Sequence, residues 1–352
     1  MADKDAVMIR QAEMVEQAIE QRRRDVQGRV VVVTGGARGL GGSMAEGFLK
    51  AGAKVVAADK TWAGADQLRD RLESSGRGMA VEMDITDDAQ LDSAYAAVIQ
   101  RFGTTDVLVN NAALVSETLF APLGHVKTLD TKDSDWEAMF KVNVFGTVKV
   151  IRRFIQPMLE NKRGSIVNVV SSGVLPMSIG GGWYGLRPGT VEMPYQATKA
   201  AVMALTFYLG EEVWGEGVAL NAIMPGHTRA SWFDATARAY QDKGQVYFMR
   251  PVVPEHVLPI MLFLASQDGQ GVTGRLYNVP EWNFDHGYGK YAAWHDHSFP
   301  PDIEEAYSKV EAAMPRYGRS GVASTPFDAS RPLFAAAMAK LAAEQGSGGQ
   351  HS

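Results

Sequence analysis

The chain has 352 residues, a formal net charge of -5, 46% hydrophobic residues and no cysteine. Without cysteine there are no disulfides, thiolate metal sites or cysteine nucleophiles, and the mildly acidic balance argues against nucleic-acid and anionic-membrane surfaces. Met1–Arg10 mixes acids with apolar residues and no apolar run reaches transmembrane length, so the expectation is a soluble cytoplasmic protein without signal peptide, nucleic-acid or membrane partner.

Met8, Ala12, Val15 and Ile19 stand at helical spacing and predict a helix over residues 5–24. It ends in Arg22-Arg23-Arg24, where positive charge suits the helix dipole. From Gly28 onward short apolar runs alternate with amphipathic stretches. Strands are predicted at 30–34, 54–58, 79–82, 106–110, 165–170, 217–223 and 275–279. Helices are predicted at 40–51, 64–74, 88–101, 134–160, 195–214 and 255–266. This alternation requires right-handed crossovers and a parallel sheet covered on both faces, an α/β doubly wound fold. The length also allows two domains, but no linker or repeat divides the chain. It therefore reads as one domain, residues 28–280, between an N-terminal helical extension (1–27) and a C-terminal extension (281–352). The Gly/Ser/Gln-rich end, Glu344–Ser352, reads as disordered. Residues 173–194 and 280–301 are irregular, and their aromatic content favours ordered cover.

The residues suited to chemistry cluster where predicted strands end. Thr34–Gly41 reads Thr-Gly-Gly-Ala-Arg-Gly-Leu-Gly behind a buried strand and opens a helix, so Arg38, Leu40 and their neighbours present backbone N–H groups to a pyrophosphate. Gly35 allows the tight turn, Gly39 the approach of phosphates, and Gly41 close packing of helix on strand. Asp59 ends the second strand; an acid there accepts ribose hydroxyls and repels a 2′-phosphate, favouring NAD over NADP. Arg38 and Lys60 stand against this, because either can pair with that phosphate. Asp84, followed by Ile85, lies at the carboxyl edge of the sheet and suits an adenine amino group, or serves near the next helix N-cap. Asn110-Asn111-Ala112-Ala113 closes the fourth strand, with small residues that leave room for a cofactor and an Asn110 able to tie strand ends. Asn143 is an awkward mid-helix residue that reads on its own as exposed and polar. Ser171-Ser172 follows the fifth strand and doubles as a Ser-rich turn. Tyr195 and Lys199 share a helix face at i, i+4, where an ammonium can activate a phenol as a base, or simply pack beside it. Pro225-Gly226-His227-Thr228 follows the sixth strand and suits a nicotinamide carboxamide; His227 reads as an exposed loop residue.

In one register these motifs resemble the short-chain dehydrogenase/reductase family, in its NAD-linked subclass, over about residues 28–280. The resemblance implies a Rossmann fold, NAD as cofactor, and a catalytic set of Asn143, Ser172, Tyr195 and Lys199. Tyr195 would exchange the proton and Ser172 would bind the substrate oxygen. Lys199 would hold the nicotinamide ribose, and Asn143 would position a water in a proton relay. The family habit also implies a homo-oligomer, dimer or tetramer, formed through helices 134–160 and 195–214. Four features depart from the family pattern: Ala113 in place of glycine, a longer Ser172–Tyr195 interval, Tyr277–Trp282 in place of a Gly-Gly ending, and both extensions. The long interval reads as an inserted lid. The substrate pocket is expected from residues 114–125, 173–194 and 226–250. Met177, Ile179, Trp183, Tyr184, Trp232 and Phe233 point to an apolar or ring-containing alcohol or ketone. Two other enzyme readings stand beside this one. Arg38 and Lys60 fit an NADPH-linked reductase, while the extension and Pro254–Pro259 are similar to (3R)-hydroxyacyl-CoA dehydrogenase domains. A non-enzymatic dinucleotide-binding scaffold is a further alternative. His295-Asp296-His297 is an incomplete ligand set for a metal, so none is expected, and the aromatic extension is expected to pack on a neighbouring subunit or over the substrate mouth.

Overall fold

Short, mainly apolar runs, valine-rich at Val30–Thr34 and Val107–Asn110, form the strands of one parallel sheet. The computed structural model describes residues 4–174, 193–246 and 250–313. Among these are β1 (Val30–Thr34), β2 (Lys54–Asp59), β3 (Gly78–Glu82), β4 (Val107–Asn110), β5 (Gly164–Val169), β6 (Val218–Met224) and β7 (Arg275–Asn278). Their spatial order is β3-β2-β1-β4-β5-β6-β7, parallel throughout. The order reverses between β1 and β4, so the crevice beyond their carboxyl ends is where a doubly wound sheet binds its ligand.

Alternation along the strands sends side chains to two covered faces. Val31, Val33, Val55, Ala57, Val107 and Val109 face α2 (Gly39–Lys50), while α1 (Lys4–Val26) lies outside it in the same core. Val30, Val32, Val56, Leu108 and Ile166 face α4 (Asp88–Phe102), which follows α3 (Asp66–Ser74). After β4 comes the short α5 (Ser116–Leu119). The single helix expected over 134–160 is divided into α6 (Asp133–Phe140), a π-helical turn (Lys141–Gly146), α7 (Thr147–Phe154) and α8 (Gln156–Glu160). Two residues explain the breaks. Asn143 bonds outside the helix from within the π turn, and Pro157 lacks an N–H at the start of α8.

Helix α9 (Tyr195–Glu212) precedes β6, and α10 (Phe233–Gln241) follows it. A 3₁₀ turn at Pro254–Val257 leads into α11 (Leu258–Ala265), against which α1 packs. The last strand stops at Asn278, because Pro280 favours a helix start, and α12 (Val279–Asp285) follows. A 3₁₀ turn at Tyr291–Trp294 and α13 (Pro301–Ala313) complete the described part of the extension. Several of its aromatics pack into the core of their own chain. Trp282, Tyr288, Tyr291 and Trp294 join the core that contains α1 and α11, with the Trp282 ring 5.5 Å from that of Phe263. The disordered tail expected at Glu344–Ser352 lies outside the described residues. Among the described residues no helix is long and apolar enough to cross a membrane.

Helix α1 is thus part of the core: Ala18 and Ile19 are fully buried. Ile19→Ala is expected to cost about 3 kcal/mol, the order found for cavity-forming core truncations, read as a lower urea midpoint with unchanged slope.

Candidate active site

The turn between β1 and α2 is built from residues that tolerate close approach. Gly35 and Gly39 have φ of 63° and 54°, a region costly for any residue with a Cβ. A Cβ on Gly35 would stand 2.9 Å from Ala112 Cα, and one on Gly41 would overlap the Gly35 carbonyl oxygen. The Asn111 side chain donates to the carbonyls of Thr34 and Gly35 at 3.0 and 3.1 Å. Thr34 Oγ1 accepts from the Asn111 and Ala112 N–H groups at 3.0 and 3.1 Å. Asn110 Nδ2 donates to Asn168 Oδ1 at 2.8 Å, which ties β4 to β5 as its position suggested. Arg38, at the N-cap of α2, makes no side-chain capping bond, so it leaves the first-turn N–H groups uncapped for an anion.

A cavity of about 570 Å³ lies at the sheet reversal. It brings together Gly35, Arg38, Gly39 and Leu40 of the turn, Asp59 after β2, Asp84 and Ile85 after β3, and Asn111 and Ala112 after β4. Ser172 joins from the 3₁₀ turn after β5, Tyr195 and Lys199 from the first turns of α9, and Pro225, Gly226 and Thr228 from the loop after β6. Gly41 and Asn143 do not line it; both act from behind.

Asp59 faces the glycine turn: its two carboxylate oxygens accept from Ala37 N at 3.2 Å and Thr61 N at 3.3 Å. Arg38 reaches beside it and donates to the Ala63 carbonyl at 2.7 Å. Asp84 is not the cap of α4. That is Asp87, whose side chain accepts from Ala89 N and Gln90 N at 2.9 and 3.1 Å. Burial raises the Asp84 pKa, but hydrogen bonds from the Thr86 N–H and hydroxyl, with Lys60 and Lys141 nearby, outweigh it and hold the carboxyl below the ordinary range.

Asn143 is buried, contrary to its exposed reading. Its Oδ1 accepts from Leu114 N at 2.7 Å, and its Nδ2 donates to Leu114 O and to Thr198 Oγ1, both at 2.9 Å. The π turn aims this amide at α9 and at the strand end beside the cavity. Lys199 is buried as well and donates to the Val169 carbonyl at 2.8 Å, with its Nζ 5.6 Å from the centre of the Tyr195 ring. Burial lowers its pKa to about 8.

The substrate side differs from expectation at Phe233 and at His227. Trp232 lines the cavity, but Phe233 is fully buried and packs on Phe299 at 5.7 Å between ring centres. His227 is half-buried and lines the cavity 5.3 Å from the Phe233 ring, so it is not an exposed loop residue. His295, Asp296 and His297 each meet their own partner, Glu311 at 2.8 Å, Arg229 at 3.1 Å and Glu304 at 3.0 Å. Met177, Ile179, Trp183 and Tyr184 of the expected lid lie outside the described residues. Leu114 and Val115, within the expected pocket range 114–125, form an apolar wall with Val142 and Val170, which no motif marked and whose only signal was that of core residues.

The model of the short chain dehydrogenase family matches residues 29–241. The chain belongs to this family. Fluoren-9-ol dehydrogenase of Terrabacter sp. (strain DBF63) is 70% identical over 335 residues, 95% of this chain and 94% of that protein. The 3-oxoacyl-(acyl-carrier-protein) reductase FabG of Thermotoga maritima is 30% identical, matching 72% of this chain and 97% of its own length. Among solved structures, a 3-ketoacyl-(acyl-carrier-protein) reductase from Brucella melitensis complexed with NADH is 27% identical with a TM-score of 0.58, covering 72% of this chain and 97% of that one. This short-chain dehydrogenase is therefore an alcohol dehydrogenase acting on a small-molecule alcohol with a nicotinamide dinucleotide, on a Rossmann-type sheet.

The buried ammonium makes stability depend on pH in a definite direction. Below pH 8 Lys199 is charged in the folded and unfolded chain, and its desolvation cost is fully present. Between about pH 8 and 10.5 the unfolded chain binds the extra proton, so stability rises with pH. Lys199→Met is expected to raise Tm at pH 7, with the gap to the wild type narrowing across that window. A gap independent of pH contradicts the burial argument.

Proposed function

We propose that this dehydrogenase uses NAD to oxidise a flat, ring-containing secondary alcohol of the fluoren-9-ol type, and reduces the corresponding ketone. The observation that carries the reading is the meeting of Tyr195, Lys199 and Ser172 with the glycine turn and Asp59 on one cavity.

The residues present fit a dinucleotide. The turn is filled wherever a Cβ would point inward at Gly35 and Gly41, yet beside Gly39 the nearest atom to a Cβ is Ala230 at 3.8 Å, so the face meant for phosphates is open. Asp59 suits the adenosine ribose hydroxyls and repels a 2′-phosphate. Asp84 suits the adenine amino group, and Pro225–Thr228 the carboxamide. When bound, the nicotinamide supplies the hydride acceptor.

The chain's own residues handle the oxygen and the proton. The Ser172 hydroxyl holds the alcohol oxygen, and the Tyr195 phenolate takes its proton. The Lys199 ammonium, desolvated and close by, favours that phenolate. The Asn143 amide is committed to Leu114 and Thr198, so Asn143 can hold a relay water only through its main-chain carbonyl, which already accepts from Thr147 Oγ1 at 2.8 Å. Leu114, Val115, Val142 and Trp232 offer an apolar wall and one ring face to an aromatic substrate. The 70%-identical relative, a fluoren-9-ol dehydrogenase, supports that choice.

Tyr195→Phe is expected to lower kcat by about 10²- to 10⁴-fold, the range for loss of a general base, while NAD binding followed by protein fluorescence stays intact. An unchanged rate refutes the proton role. Arg38 and Lys60 line the cavity beside Asp59 and support a second reading, NADP as cofactor. Parallel titrations decide: NAD is expected to saturate at lower concentration than NADP with fluoren-9-ol as substrate. The reverse order, or turnover of small polar alcohols alone, overturns the assignment.

A further inference from the structure

The loop after β6 has the cavity on one side and a frame drawn from both chain extensions on the other. Gly226 has φ of 86°, and a Cβ on it would lie 3.6 Å from Tyr291 Cε2 and 3.7 Å from Pro280 Cγ. The Tyr291 hydroxyl donates to the His227 carbonyl at 3.3 Å, and Val252 N donates to the same oxygen at 2.9 Å. Residue 252 bridges Thr228 on one side and His295 on the other. A ring nitrogen of the buried His256 lies 2.6 Å from the Pro225 carbonyl, and the His256 carbonyl accepts from Asn283 at 2.7 Å. From α1, Gln11 donates to the carbonyls of Ala293 and His295 at 3.1 and 2.9 Å. Tyr291 itself is buried, and burial pushes its phenol up, so it remains a neutral donor at working pH.

Tyr291, Asn283 and Gln11 all lie outside residues 29–241. The reductase from Thermotoga maritima matches 72% of this chain with 97% of its own length. Within this frame Tyr291 reaches the His227 carbonyl directly, and His256, whose own carbonyl accepts from Asn283, reaches that of Pro225.

We propose that Tyr291 is a positioning residue for the cofactor: its ring and hydroxyl hold Gly226-His227 in the shape that meets the nicotinamide half, with Gln11 bracing the turn that carries it. This rests on the reading of Pro225–Thr228 as the nicotinamide loop. Tyr291→Phe keeps the ring and removes only the hydroxyl, so the fold is retained. A single net hydrogen bond corresponds to roughly three- to tenfold in an equilibrium constant. The Phe variant is therefore expected to raise KM and Kd for the dinucleotide by about that factor, while KM for the alcohol stays within about twofold. Gln11→Ala is expected to shift the same cofactor constants in the same direction by less. All constants are measured with whichever of NAD and NADP the wild type binds. Unchanged cofactor constants in Tyr291→Phe, with or without a lower Tm, overturn the proposal and leave a merely structural tyrosine. Equal rises in both KM values also overturn it. A wild type that binds neither dinucleotide defeats the functional reading itself, and is thereby distinguished from a failure of Tyr291 alone.

Discussion

The approach of α2 to the end of β1 is the constraint on which the site depends. Gly41 stands so close to the Gly35 carbonyl that no side chain fits between them. This contact fixes the helix start at the sheet reversal and directs its uncapped N–H groups into the crevice. Asp59 accepts from Ala37 N, so the end of β2 is tied to the same turn, and the Asn111 amide ties in the end of β4. Three strand ends and one helix start are thereby set as a unit, and the cavity takes its form from them.

The reactive side is held by a different balance. Lys199 is buried against a backbone carbonyl beside the Tyr195 ring, at a cost to stability below its lowered pKa. The π turn in the preceding helix serves the same region. It turns the Asn143 amide out of the helix ladder to pin Leu114 on one side and Thr198 of α9 on the other. An irregularity that costs helix regularity aligns a cavity wall with the helix carrying Tyr195 and Lys199.

Much of the fold was legible because its strands are mainly apolar runs alternating with helical stretches, the pattern a parallel sheet with covered faces imposes. The residues that line the candidate cavity were legible because most sit at a strand end or on a helix face, positions that sequence spacing specifies. Asn143 was flagged correctly as awkward but placed wrongly at the surface, since periodicity carries no information about a π turn. Phe233 read as a pocket residue because it adjoins Trp232. Helical geometry points the two in different directions, and Phe299 and Tyr307 of the extension cover the second. The aromatic extension looked like cover for a neighbour or a mouth, because its composition shows that it must be buried but not against what.

By itself the sequence determined the class of fold, the turn that suits a dinucleotide, and the Tyr195–Lys199 pair, since local spacing and residue chemistry are enough for each. Only the tertiary structure decided which distant segments meet. It placed Asn143 beside Leu114 and Thr198, and put Tyr291 and Gln11 behind the loop at Gly226. Those contacts span gaps of up to hundreds of residues and rest on side-chain hydrogen bonds to backbone carbonyls. Such bonds depend on where the chain has already packed, and the identity of the residue alone does not predict them.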